Sequence, residues 1–159
     1  MSFKIVSVSE KKLIGLKVST TMEKASHDCP SLWMAFGSCS HTELTPLDVL
    51  SSSGESFGIC IMTSENTFDY WATAEITKDI MKEKIPSDMA ITKIPEGLYV
   101  CGEVKNLAEL GNVYNALYTE WPQSQNEYIM DIHGACFELY PANWTPDTVF
   151  CVYAPVKKV

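Results

Sequence analysis

The sequence contains no arginine, and twenty acidic residues outnumber twelve lysines, for a net charge of −8. Nucleic-acid readers neutralise phosphate with Lys and Arg and read guanine most often with the Arg fork. With neither basic excess nor fork, direct nucleic-acid binding and tight phosphate clamping are not expected. A negative surface favours cationic ligands or basic partner faces. No apolar run approaches the ~20 residues of a membrane-spanning helix. The opening Met1-Ser2-Phe3-Lys4 has no secretory apolar stretch, which predicts a cytoplasmic protein with reduced thiols. The three histidines, at 27, 41 and 133, fall at no metal-ligand spacing, and paired Cys-x-x-Cys units are missing. So are a Gly-x-Ser-x-Gly elbow, a phosphate loop and a dinucleotide fingerprint. No metal and no cofactor are therefore expected.

What is present is a chain of 159 residues, 46% apolar, which suits one domain over 1–159. Four of the six cysteines (Cys60, Cys101, Cys136 and Cys151) lie in strand-like apolar runs, where a thiol acts as a small hydrophobe. Residues 3–9 and 13–18 read as strands. A helix is expected from Asp28, with Asp28 as cap and Pro30 in its first turn, and short or broken beyond Gly37. Residues 57–63 and 68–77 read as a hairpin. In the second of these strands Phe68, Tyr70, Ala72, Ala74 and Ile76 share one face, and Asp69, Trp71, Thr73 and Glu75 share the other. The polar stretch 78–87 reads as a boundary between halves of about 1–80 and 86–159. Met89 to Ile94 and Leu98 to Val104 then read as a strand, a Pro95-Glu96-Gly97 turn and a returning strand. Asn106 with Glu109 reads as a helix start, the stripe Leu107, Leu110, Tyr114, Leu117 and Trp121 as its buried face, and Pro122 as its end. Residues 134–140 and 149–156 close the pattern as a second hairpin.

The order is thus two strands, helix, two strands, given twice. Paired halves predict an α+β fold: one antiparallel sheet with two helices on one face and a cleft at the seam. Glu138 stands out in Cys136-Phe137-Glu138-Leu139-Tyr140. An acid in such a strand lies either on a wet face or buried with a purpose, because an unpartnered buried carboxylate is costly. Tyr70, Trp71, Trp121, Tyr140 and Tyr153 fall where they could line the seam. Aromatic walls around one carboxylate suit a lipophilic cation; the alternative is an aromatic-rich core.

Several ordered motifs resemble the GyrI-like small-molecule-binding domain, the effector-binding half of AraC- and MerR-type multidrug regulators. They are Leu32-Trp33 with Phe36; Phe57-Gly58-Ile59 followed by Phe68-Asp69-Tyr70-Trp71-Ala72; Ile94-Pro95-Glu96-Gly97-Leu98-Tyr99; Tyr114 through Trp121-Pro122; Phe137-Glu138-Leu139-Tyr140; and Val152-Tyr153-Ala154-Pro155. The resemblance implies a duplicated strand-helix-strand-strand fold with a central cleft. It also implies that Glu138 lies on the cleft floor against cationic, flat ligands, with Tyr153 as the last-strand aromatic. Trp33, Trp71 and Cys151 join the expected ligand-binding set. Cys151 stands where some relatives carry an acid, which halves the fixed negative charge, and Trp71 is large enough to fill the cleft. No DNA-binding helices accompany the domain, so a stand-alone small-molecule binder is expected. The alternatives are a hydrolase of strained cyclopropanoid compounds using Glu138, with Glu75, Glu103 or Glu120 as a second acid, and a domain that meets a protein partner such as a regulator or DNA gyrase.

Overall fold

The structure, a computed structural model, describes residues 2–159. Strands β1 (Phe3–Val8) and β2 (Lys11–Thr21) are followed by helix α1 (Ala25–Cys39), then by β3 (Ser56–Met62) and β4 (Thr67–Glu75). The second half repeats the order with β5 (Ala90–Ile94), β6 (Gly97–Val104), a helical arm over 107–124, β7 (Tyr128–Met130), β8 (Cys136–Tyr140) and β9 (Phe150–Lys158). All strand pairings are antiparallel, and the sheet runs β1-β6-β9-β8-β3-β4-β2-β5, with β7 also on β9. This is the α+β, duplicated architecture expected. The sheet order is palindromic in role: β8 and β3 meet at the centre, and each half's first strand lies at the far edge of the other half.

That exchange corrects one expectation. The strands on either side of Pro95-Glu96 do not form a hairpin. Instead β6 pairs with β1 and β5 pairs with β2. Val8 faces Gly97 and, three residues on, Lys11 faces Ile94 three residues back, so one register carries round the corner. Two long strands therefore bend together. Pro95 has no N–H to continue a ladder, and the Tyr99 hydroxyl ties down its carbonyl at 2.9 Å. The bend curls the sheet, so its helix-free face is buried too. Leu13, Phe57, Ile59, Ile94, Tyr99 and Phe137 form a core there.

On the other face α1 packs over β2 and β4 through Phe36, with Leu44 beyond it, against Ile14, Leu16 and Ala72. The second arm packs Val113, Leu117 and Trp121 on Val100, Val152 and Ala154. Both helices thus share one face, and the two-residue alternation in β4 is as the sequence predicts.

Helix limits differ from expectation. α1 begins at Ala25, so Asp28 lies in its first turn rather than at its cap, and Pro30 lies further inside the helix than its first turn. The Asp28 carboxylate is instead held by the Thr20 hydroxyl at 2.7 Å. Beyond Cys39 the chain does not break. It continues as a wide turn over Ser40–Leu44 and a tight turn over Thr45–Leu47. Ser40, Thr42 and Thr45 return their hydroxyls to the Gly37, Ser38 and Ser40 carbonyls, a habit that loosens a helix. Asn106 sits before the second arm without a side-chain cap bond. That arm runs through α2 (Leu110–Asn115), a wide turn over Ala116–Glu120 and α3 (Trp121–Ser124). Pro122 does not end it. The Trp121 N–H already reaches back to the Ala116 carbonyl, five residues away. The widened turn absorbs the donor that Pro122 lacks. No helix among the described residues is long and apolar enough to cross a membrane.

Gly15 lies on β2 between Thr73 of β4 and Ala90 of β5. A Cβ there would collide with the Ala72 carbonyl oxygen and come within 2.8 Å of Thr73 Cα. Both obstacles are backbone and cannot turn aside. Gly15→Ala should lower stability by about 1–3 kcal/mol, read as a lower urea midpoint with an unchanged denaturant slope.

Candidate functional site

Glu138 is 5% exposed. It sits on β8 directly opposite Gly58 of β3 and Val152 of β9, on the helix-bearing face. Three phenols converge on it. Tyr70 donates to Oε1 at 2.8 Å, Tyr140 to Oε1 at 2.6 Å and Tyr114 to Oε2 at 2.7 Å. The Trp33 indole N–H in turn donates to the Tyr70 oxygen at 3.0 Å. Trp33 comes from α1, Tyr70 from β4, Tyr114 from α2 and Tyr140 from β8. Both halves therefore contribute to one carboxylate at the seam. The burial is purposeful rather than wet, and no ion pair to Glu138 occurs among the described residues.

Gly58 makes this arrangement possible. A Cβ on it would collide with the Tyr70 hydroxyl and lie 2.8 Å from Glu138 Oε1. The site has an aromatic wall as well. Trp33 meets the Tyr140 ring edge-on at 5.5 Å, and Tyr140 stacks on Phe150 at 4.7 Å and meets Trp144 at 4.8 Å.

The other expected residues are placed differently. Trp71, Cys151 and Tyr153 lie on the opposite face of the sheet from Glu138. The register sets Tyr153 opposite Phe137 and Cys151 opposite Leu139, while Trp71 faces Ile59, itself opposite Phe137. The Tyr153 ring stacks on Phe137 at 4.5 Å. With Phe137, Leu139 and Lys11 it lines a separate cavity of about 190 Å3. Trp71 carries the Lys17 ammonium over its ring at 5.7 Å and does not fill the space over Glu138. Trp121 is buried in the core under the second arm and makes no hydrogen bond to Glu138. Of the possible second acids, Glu75 faces Leu13 and Glu103 faces Cys151, both on the far face, and Glu120 is exposed on the wide turn.

Sequence reasoning missed Tyr114 as a site residue, since it fell within a helical stripe that read as core. A usable signal existed: a tyrosine on a buried stripe must find a partner for its hydroxyl. One set of three donor groups, Cys39, Glu43 and Asp88, brings potential metal-ligand atoms within 4.8 Å of one another at the end of α1. The two acids there are exposed, and no histidine joins them.

The chain belongs to the family of integron-associated effector binding proteins, which it matches over residues 4–156. It is a GyrI-like small-molecule-binding domain by fold. No curated protein matches the sequence directly. Among solved structures it resembles SAV2435 bound to tetraphenylphosphonium, with a TM-score of 0.72 at 14% identity, covering 99% of this chain and 94% of that one. The EcmrR C-terminal domain gives 0.69 at 15% identity over 99% and 98% of the two chains. The integron cassette protein from the mobile metagenome of Vibrio cholerae gives 0.64 at 15% identity over 98% and 95%.

Burial, and then the negative charge of Glu138, hold the Tyr70, Tyr114 and Tyr140 phenols above the usual tyrosine range. Cys29 on α1 is pushed up to about 11 by the same two causes. These groups keep their protons when folded at a pH where the unfolded chain would release them. The phenols' stabilising contribution is complete below the unfolded tyrosine value of about 10, that of Cys29 below the unfolded cysteine value of about 8.5, and each is lost as pH rises beyond it. Urea denaturation at about pH 8 and pH 11 should therefore show a steep alkaline loss of stability. Tyr114→Phe should flatten that slope. An equal slope in the variant would separate the phenols from alkaline unfolding.

Proposed function

We propose that the chain binds a lipophilic molecule with one positive charge over Glu138, acting as an effector-binding protein. The observation that carries this reading is a buried carboxylate supported only by neutral phenol donors, with no cation paired to it. A bound monocation would supply the missing counter-charge, and the faces of Trp33, Tyr114 and Tyr140 would add cation–π attraction and apolar contact. The SAV2435 structure contains tetraphenylphosphonium, a bulky lipophilic monocation, and this supports the same ligand class here. One carboxylate without a second acid on its face favours a single charge over a dication. It also gives hydrolysis no second group to activate water.

To enter, a ligand must part Tyr114 of the second arm from Trp33 and Tyr70. Those side chains already line the site, so opening exposes apolar walls rather than creating them. Neutral analogues would break the same phenol bonds without supplying charge and should bind more weakly.

Tryptophan fluorescence with tetraphenylphosphonium as the probe tests this, since Trp33 lies within the network. Glu138→Gln should weaken binding at least tenfold, about 1.4 kcal/mol. Tyr153→Phe, on the opposite sheet face, should leave it unchanged. The ligand should be recovered intact by mass spectrometry. Equal affinity in Glu138→Gln overturns the reading. Conversion of a cyclopropanoid compound that depends on Glu138 would replace it with the hydrolytic one.

A further inference from the structure

The cysteines of the central seam take no part in the carboxylate network. All six cysteines are free thiols. Cys60 on β3 and Cys136 on β8 are directly opposed in register, so their side chains share one face. That face carries Glu138, two residues from Cys136. The Cys136 thiol also lies 3.7 Å from the Cys60 carbonyl oxygen. Both cysteines are only partly buried, and Met62 and Tyr118 beside them are about half exposed, so small species can reach the pair.

The spacing separates two chemistries. Directly opposed residues on antiparallel strands hold their Cβ atoms roughly 4.5–5.5 Å apart. A disulfide needs roughly 3.5–4.5 Å. β3 is paired on both sides, to β4 and to β8, and cannot drift towards its neighbour without breaking a ladder. Two thiols carried on Cβ atoms this far apart suit one atom held between them better than a direct bond. A thiolate is the form that binds metal, so each thiol gives up its proton to solvent as the ion binds.

We propose that Cys60 and Cys136 form a two-thiolate site for a soft, thiophilic metal ion of the mercuric or cuprous kind. Soft ligands of this type select soft ions. Each thiol loses its proton, two sulfur–metal bonds form, and the oxidation state of the metal is unchanged. No oxidant is required. The bound ion would cross-link the two halves at the seam beside Glu138. The site does not depend on which ligand the carboxylate takes.

Cys101 and Cys151 are the other pair on neighbouring strands. Cys101 faces Tyr153 and Cys151 faces Glu103, so the two are diagonal rather than opposed, but their thiols still lie close enough to interact. They lie on the helix-free face, away from Glu138, and compete for the same ion, so the test removes them first.

The test uses the full chain, reduced and free of oxygen, titrated with mercuric chloride in the presence of excess glutathione. In a chain carrying Cys101→Ser and Cys151→Ser, native mass spectrometry should show one ion retained with the loss of two protons. Adding Cys60→Ser or Cys136→Ser should lower retention at least tenfold, while adding Cys39→Ser keeps it. Cys60→Ala and Cys136→Ala, checked for folding by circular dichroism, guard against a serine-specific fold defect. Retention unchanged on adding Cys60→Ser or Cys136→Ser overturns the proposal, as does retention abolished by Cys101→Ser with Cys151→Ser alone. A mild peroxide that closes Cys60 to Cys136 in a protein retaining no ion would show a disulfide switch instead, and would also overturn it.

Discussion

The rest of the site follows from one constraint: a carboxylate buried in the central seam of the sheet without a cation. Removing such a group from water costs several kcal/mol. Hydrogen bonds to a charged acceptor return roughly 1.5–3 kcal/mol each. One phenol would not offset the cost, whereas three are of the right order. That requirement explains the local sequence. Tyr140 stands two residues from Glu138 because alternation returns it to the same face. Tyr70 reaches the same oxygen across Gly58, where any side chain would block it. Tyr114 covers the second oxygen from above. The aromatic richness of this short chain is thus concentrated where one acid needs neutral donors with apolar bodies.

The duplicated topology brings those donors together. β3 and β8 each come from the interior of their own half and meet at the centre of the sheet. The helix of each half lies over its own strands, and both helices therefore border the seam. Exchange of the first strands then locks the halves, since β1 completes the second half's sheet and β5 the first's. Separating the halves would break the β1–β6 and β2–β5 ladders as well as the β3–β8 pairing. The carboxylate network consequently spans two units that cannot part independently. Motion that admits a ligand is more easily supplied by the second arm, whose widened turn over Ala116–Glu120 directly follows the helix that carries Tyr114.

Most of the strands and both helices were legible because period-two and helical spacing are local properties. The faces within β4 and the pairing of Glu138 with Tyr140 followed from alternation alone. The relation of β9 to β8 did not. Residues 141–149 form a long connection that does not fix register, and a one-residue slip exchanges the two faces of a strand. The observed register sets Val152 beside Glu138 and turns Tyr153 and Cys151 away. Strand position and family resemblance had both carried Tyr153 towards the carboxylate. The β5–β6 corner was misread for a related reason: Pro-Glu-Gly marks a change of direction without saying whether the chain reverses or bends. Pro122 was misread because a widened turn can hide a missing donor, and nothing local in the sequence announces such a turn.

The closed network also bears on selectivity. As it stands, the carboxylate is satisfied by its own phenols, so an incoming molecule competes with intramolecular donors rather than with water. A ligand gains only by what it offers beyond them. Polar neutral molecules offer hydrogen bonds of the kind already present and gain little. A cation adds charge, and a large apolar cation adds burial against Trp33 and Tyr140 as well. On the proposed reading, the affinity of such a ligand would scale with the fraction of molecules in which Tyr114 leaves the carboxylate. The same closure excludes small hydrated ions, which would lose more hydration than one carboxylate returns. On the proposed reading, a self-satisfied acid beneath Trp33, Tyr114 and Tyr140 would therefore select for size and charge together.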